Sequence, residues 1–259
     1  GRCSEDCRFC AQSCHYHTGA EEYPFLPVQE IVEEGKRNEA AGVHRYSIVT
    51  AGRGLHGREL DHALEAYRRL GAETGLALCA SHGLQSVEEF QAMREAGVTR
   101  YHANLETSRR NFPNICTTHT YEDKLENIRR AQAAGLEVCS GGILGMGETW
   151  EDRLDMALDL SELGVVSIPL NLLTPIPGTP LEEAEPLTEG DVFRSVAIFR
   201  LLNPTAWIRM AAGRRRFAGG GRKLFRCGAN AAITGDMLTT TGTGIAEDRT
   251  MFAQLGYEI

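Results

Sequence analysis

Three stretches of this sequence close on nearly the same phrase, and that repetition restricts the fold more than any other feature. Ala41-Gly42-Val43, Ala96-Gly97-Val98 and Ala134-Gly135-Leu136 each follow a run with apolar residues at helical spacing. A glycine there suits the left-handed residue that ends a helix, and a β-rich run follows directly. Residues 27–41 read as such a helix, and Arg45-Tyr46-Ser47-Ile48-Val49-Thr50 as the strand after it. The alternation continues with helices over 57–74, 86–96, 121–134, 149–162 and 188–202, and strands over 76–80, 99–105, 136–141, 165–171 and 205–211. A less regular segment ends at Leu238-Thr239-Thr240, and Gly219-Gly220-Gly221 reads as a loose loop. A period of roughly 30–35 residues is that of a βα unit, and strands separated by helices make a parallel sheet. With no linker between rounds, the expected class is α/β: a (β/α)8 TIM-type barrel. Gly1 stands only two residues before Cys3, so the first strand is expected to be missing or partial. Residues 1–259 are accordingly expected to form a single, N-terminally truncated domain.

Charge and cysteine content narrow the chemistry. Lys and Arg total 27 against 35 Asp and Glu, a net charge of −8 that argues against nucleic acid as a partner. The basic run Arg214-Arg215-Arg216 is local. No window nears the roughly 18 apolar residues of a membrane span, and no signal peptide is expected where the first ten residues hold three cysteines; the cytoplasm is the expected compartment. Eight cysteines in 259 residues fall short of a disulfide scaffold and point to reduced thiols that bind a metal or a cluster. Cys3-Ser4-Glu5-Asp6-Cys7-Arg8-Phe9-Cys10 is a C-x3-C-x2-C triplet. Three thiolates in one loop can hold three irons of a cubane and leave the fourth open, whereas structural zinc prefers four closed ligands. A zinc loop completed by Cys14 or His15 is the alternative.

The triplet, followed by Gly141-Gly142-Ile143-Leu144-Gly145-Met146-Gly147-Glu148, looks like the radical S-adenosylmethionine superfamily. Further phrases narrow the resemblance: Val138-Cys139-Ser140, Asn104-Leu105-Glu106-Thr107-Ser108, Pro169-Leu170-Asn171, Gly178-Thr179-Pro180-Leu181, Arg209-Met210-Ala211-Ala212-Gly213-Arg214, Gly228-Ala229-Asn230 and Leu238-Thr239-Thr240. Together, from Cys3 to the end, they resemble the biotin synthase family. The resemblance implies that Cys3, Cys7 and Cys10 hold a 4Fe–4S cluster whose open iron chelates S-adenosylmethionine. One electron would then yield a 5′-deoxyadenosyl radical that abstracts hydrogens from dethiobiotin, and an auxiliary iron–sulfur cluster would donate the inserted sulfur. It further implies an electron donor such as flavodoxin or ferredoxin and a homodimer. Asn104 and Glu106 end a predicted strand, where a carboxylate can accept both ribose hydroxyls. Gly141, Ile143, Gly145 and Glu148 are expected at the cofactor, the glycines leaving backbone uncovered for close approach. Lys124 opens a helix where the family carries a basic residue suited to the ligand carboxylate. Asn104, Asn171, Thr239 and Thr240 are expected to meet dethiobiotin, since amides and hydroxyls can pair with a neutral ureido ring.

Two departures from the family pattern matter. The family's auxiliary cluster is a 2Fe–2S unit on three cysteines and an arginine, and Cys79, Cys139 and Arg209 match three of those places. The fourth carries Ser47, and serine is a poor ligand beside a thiolate. Cys116 and Cys227 are the expected replacements, making a four-thiolate set of Cys79, Cys116, Cys139 and Cys227 that suits a four-iron cluster and frees Arg209 to hydrogen-bond a sulfide or the substrate. The plainer reading is that the extra cysteines are small buried apolar residues. The second departure is Tyr101-His102-Ala103, where the family usually shows Asn-His before Asn104. Rival readings are a hydrogenase-maturation or methylornithine-forming relative and, from another class, a non-catalytic metal-binding module.

Overall fold

The computed structural model describes residues 1–235 and 242–258. Thr239 and Thr240, expected at the substrate, lie outside the described residues. By its contacts the chain divides into two compact units, one of residues 1–6, 12–103 and 118–139, the other of 7–11, 104–117 and 140–259.

The first unit runs α1 (Val28–Ala40), β1 (Arg45–Val49), α2 (Gly57–Glu73), β2 (Ala77–Ser81), α3 (Val87–Glu95), β3 (Val98–His102), α4 (Tyr121–Ala133) and β4 (Glu137–Cys139). Its four strands pair in sequence order, all parallel, as strands joined through helices must. Helices α3 and α4 start at capping boxes, Ser86 with Glu89 and Thr120 with Asp123. Helices α1, α3 and α4 stop at the Ala-Gly phrases, with Gly42, Gly97 and Gly135 at φ 86°, 100° and 81°. One face of α2 buries Leu60, Leu64, Tyr67 and Leu70. Beneath it His82 is locked, Nε2 with the Tyr67 hydroxyl at 2.8 Å and Nδ1 with Thr50 Oγ1 at 3.0 Å. Burial pushes the imidazole down to about 4, so it is neutral at physiological pH. In the sheet register Ser47 stands beside Cys79, Cys79 beside Arg100, and Arg100 beside Glu137, to which its guanidinium donates at 2.7 and 2.9 Å.

The second unit runs β5 (Gly142–Leu144), α5 (Trp150–Glu162), β6 (Ser167–Leu172), α6 (Glu189–Leu202), β7 (Trp207–Met210), α7 (Ala218–Arg226), β8 (Ala231–Ala232) and α8 (Ile245–Leu255). Its strands are again parallel and in sequence order. The α/β class and the alternating strands and helices thus follow the expectation, with three differences in detail. The strand expected over 136–141 stops at Cys139 and pairing resumes at Gly142. A Cβ on Gly141 would run into the carbonyl of Pro169, so the chain crosses that point as bare backbone. The strand expected to reach 105 ends at His102, leaving Asn104 and Glu106 in a loop. Gly219, Gly220 and Gly221 form a left-handed, kinked start to α7 rather than a loose loop. Within the basic run, Arg214 is a buried partner of Asp248 on α8, at 2.6 and 2.8 Å.

Candidate cluster and cofactor site

The cysteine triplet is held by main-chain bonds and by the acidic residues between its thiols. Cys3 N donates to Gln12 O and its carbonyl accepts from Cys14 N, both at 2.8 Å. Glu5 is buried, and its carboxylate accepts from His119 Nδ1 at 2.6 Å, Thr118 Oγ1 at 2.9 Å and Ser4 Oγ at 3.1 Å. Burial raises the Glu5 pKa, but the bonds from His119 and Thr118 outweigh it and hold the carboxyl below its ordinary range. Asp6 Oδ1 accepts from the Thr118 amide at 3.2 Å and hydroxyl at 3.1 Å. Beyond Ser4, these partners were not legible in the motif, since Thr118 and His119 lie 113 and 114 residues from Glu5.

Cys7 and Cys10 belong to the second unit. Cys10 N closes a turn on Cys7 O at 2.9 Å, and Arg8 N donates to Ile115 O at 3.0 Å. Phe9 packs against a cluster of Ile115, Met146 and Leu173 together with Ile143. The sulfur of Cys116 lies within 4.8 Å of that of Cys7. The Arg8–Ile115 bond draws the segment before Cys116 against the triplet loop, and Cys116 stands with Cys7. Among the described residues, neither Cys14 nor His15 belongs to a group of three ligand atoms so close together, so the zinc loop has no such support. Three half-buried thiols on one short loop fit an iron–sulfur cluster with an open iron.

Asn104 and Glu106 come together with the glycine-rich phrase. Asn104 Oδ1 accepts from Gly141 N at 3.1 Å, and its Nδ2 lies 3.4 Å from Glu106 Oε2. Glu106 has φ 72°, the one non-glycine residue in the left-handed region among the described residues. Its backbone is fixed on both sides, N to Gly141 O at 3.1 Å and O from Ile143 N at 2.9 Å. A strained residue held this firmly is the kind found where a side chain must be aimed. Two of the glycines also make room inside the fold: a Cβ on Gly142 would meet the Glu106 carbonyl and, at 2.6 Å, Met156 Sδ. Gly141 and Gly142 thus admit neighbouring backbone. Glu148 is nearly inaccessible, its carboxylate accepting from Gly145 N, Met146 N (2.7 Å) and Arg153 Nε (2.9 Å). It shapes the loop from within. Sequence reasoning also missed Ser108, which donates to Asp152 at 2.6 Å and ties the loop after Glu106 to the start of α5. Asp152 is held down to about 2: burial opposes this, and bonds from Ser108, Thr149 and Arg110 overcome it.

The remaining expected residues divide by surroundings. Asn171 Nδ2 donates to Gly142 O at 3.3 Å and its Oδ1 accepts from Ala212 N at 3.2 Å, so the amide bridges neighbouring strand ends. Lys124 lies half-buried in the first turn of α4, and it makes no ion pair among the described residues. Cys79 and Cys139 are buried on β2 and β4, and Ser47 stands in register beside Cys79. Arg209 is half-buried on β7 between Pro169 and Ala231, and Cys227 caps the C-terminus of α7.

With this geometry in hand, comparison with known proteins is decisive about kinship. The radical SAM superfamily matches residues 1–160, and the Biotin and Thiamin Synthesis associated domain matches residues 169–258. The biotin synthase of Clostridium beijerinckii is 58% identical over 259 residues, spanning all of this chain and 82% of the relative. That of Alkaliphilus metalliredigens is 59% identical, spanning all of this chain and 81% of the relative. Among solved structures, methylornithine synthase superposes with a TM-score of 0.82 at 20% identity, over 98% of this chain and 78% of its own. The FeFe-hydrogenase maturase of Carboxydothermus hydrogenoformans gives 0.80 at 14% identity, over 99% and 64%. At such identities these two likenesses concern the fold alone.

Proposed function

The chain belongs to the biotin synthase family within the radical S-adenosylmethionine superfamily, and we infer its chemistry from that membership. It is a radical S-adenosylmethionine enzyme that inserts sulfur into dethiobiotin to form biotin. The observation that carries this is identity of 58–59% to biotin synthases across the whole chain, the rival activities matching only in fold. When bound, the 4Fe–4S cluster supplies the electron that cleaves S-adenosylmethionine, and an auxiliary iron–sulfur cluster supplies the sulfur.

The roles of individual residues follow from the family motif and their chemistry. Cys3, Cys7 and Cys10 ligate the radical cluster. Glu106 accepts the ribose hydroxyls, its aim set by the constrained backbone at 104–106. Lys124 pairs with the cofactor carboxylate, and Gly141, Ile143 and Gly145 line the cofactor while Glu148 keeps their loop in shape. Asn104 and Asn171, whose amides each already make protein hydrogen bonds, offer their remaining donor and acceptor capacity to the ureido ring, and Thr239 and Thr240 receive the far end of dethiobiotin. With Cys116 beside Cys7, the auxiliary cluster draws on Cys79, Cys139 and Cys227, with Arg209 as the fourth group. Three thiolates and a guanidinium match the donor count of a two-iron unit. A Mössbauer spectrum of the reconstituted protein decides it: a second four-iron species would return Cys116 to this set. The partners are dethiobiotin, a flavodoxin- or ferredoxin-like electron donor and a second copy of the chain, and the compartment is the cytoplasm. Among the described residues no helix is long and apolar enough to cross a membrane. Anaerobic turnover with S-adenosylmethionine, reductant and dethiobiotin tests the activity, with biotin and 5′-deoxyadenosine as the products to find.

A further inference from the structure

The proximity of Cys7 and Cys116 has a use outside the catalytic cycle. We propose that Cys116 is a resolving thiol for Cys7: when oxidants strip the radical cluster, the two close a disulfide that keeps Cys7 from irreversible oxidation. This rests on the assignment of Cys7 to the radical cluster. The geometry comes from three local features. The sulfurs lie within 4.8 Å of each other. Arg8 N donates to Ile115 O at 3.0 Å, pairing the residue after Cys7 with the residue before Cys116, and the Arg8 guanidinium adds a bond to Asn114 O at 3.2 Å. Cys116 N donates to Phe112 O at 3.0 Å, and Phe9 is packed on Ile115, so neither segment drifts from the other.

Accessibility sets the order of events. Cys7 is half-buried and Cys116 is 3% exposed, so a small oxidant meets Cys7 first. A peroxide oxidises the Cys7 thiol to a sulfenic acid and is reduced to water. The Cys116 sulfur then attacks the Cys7 sulfur; an S–S bond forms, the S–O bond breaks, and hydroxide leaves with the Cys116 proton as a second water. In sum two thiols lose two electrons and two protons to one peroxide. Without a thiol at 116, the sulfenic acid would be open to a second oxidation to the sulfinic acid, which ordinary thiols do not reverse.

The test treats the full chain, reconstituted and then challenged with hydrogen peroxide, by alkylation and digestion without reduction, followed by mass spectrometry. The expected result is a Cys7–Cys116 linked peptide pair that disappears on reduction with dithiothreitol. In Cys116→Ser that pair is lost, the Cys7 peptide carries sulfinic acid, and less iron is regained on reduction and anaerobic reconstitution than in the wild type. Cys7 linked to Cys3 or Cys10 instead, or equal sulfinic acid at Cys7 with and without Cys116, would overturn the proposal. These readouts do not depend on biotin formation, so failure here leaves the sulfur-insertion reading untouched, and failure of that reading leaves the linked peptides to be found or not.

Discussion

Glu106 gives a prediction in which stability and cofactor binding move in opposite directions. Its φ of 72° is a conformation that glycine takes freely and other L-residues resist. Holding a side chain there costs roughly 1–2 kcal/mol, whereas glycine loses roughly 0.5–1 kcal/mol more chain entropy on folding than alanine. Because hydrogen bonds to Gly141 and Ile143 fix the backbone, Glu106→Gly should relieve the strain in place, while Glu106→Ala retains it. The glycine variant is then the more stable by about 0.5–1 kcal/mol, which for a chain of this size raises Tm by about 1–4 °C. Both variants lack the carboxylate. If it accepts two ribose hydroxyls, each hydrogen bond to a charged group contributes about 1.5–3 kcal/mol. The two variants should then bind S-adenosylmethionine roughly 10²–10⁴-fold more weakly than wild type. Thermal unfolding of the three proteins, paired with anaerobic equilibrium dialysis of S-adenosylmethionine, reads both quantities. An alanine variant as stable as the glycine variant would refute the strain argument, and wild-type affinity in either would refute the carboxylate's role.

Other residues give further expectations. Glu148→Gln leaves Arg153 without its buried charge partner and should destabilise the fold by about 3–5 kcal/mol in urea titration, since removing one member of a buried ion pair strands the other; an unchanged midpoint would show the pair to be dispensable. His82 is neutral when folded, its pKa brought down by burial from 6.5 to about 4. Its contribution is complete above pH 6.5 and is lost as pH falls toward about 4, because the unfolded chain takes up the proton first, an effect of about 3 kcal/mol. His82→Gln should flatten the dependence of urea stability on pH across that window, and parallel profiles for the two proteins would contradict the assignment. Asn171→Leu should weaken dethiobiotin binding while leaving S-adenosylmethionine cleavage without product, and undiminished biotin formation would count against Asn171 as a substrate contact.

Much of the fold could be read in advance because it is written locally. Ser86, Thr120 and Thr149 stand three residues before an acidic partner, and each opens a helix. The break between β4 and β5 was not legible. The sequence reads as a strand over 136–141, and only the approach of Pro169 shows why pairing breaks at Gly141. The site divides in the same way. The cysteine triplet is a local pattern, but what positions it is not: Glu5 meets His119, Ser108 meets Asp152, and Cys7 meets Cys116 across long stretches of chain. Glu148 was legible as a motif residue but not in its role, because a motif records that a carboxylate is present and not which amides it accepts from.

The most direct measurement is the fate of labelled sulfur in a single turnover. The protein is reconstituted anaerobically with iron and isotopically labelled sulfide, then given S-adenosylmethionine, reductant and dethiobiotin. Biotin carrying the label, formed together with 5′-deoxyadenosine and lost with it in Cys3→Ala, Cys7→Ala and Cys10→Ala, is the predicted result. 5′-Deoxyadenosine without labelled biotin, or its persistence in any of the three cysteine variants, would contradict the account.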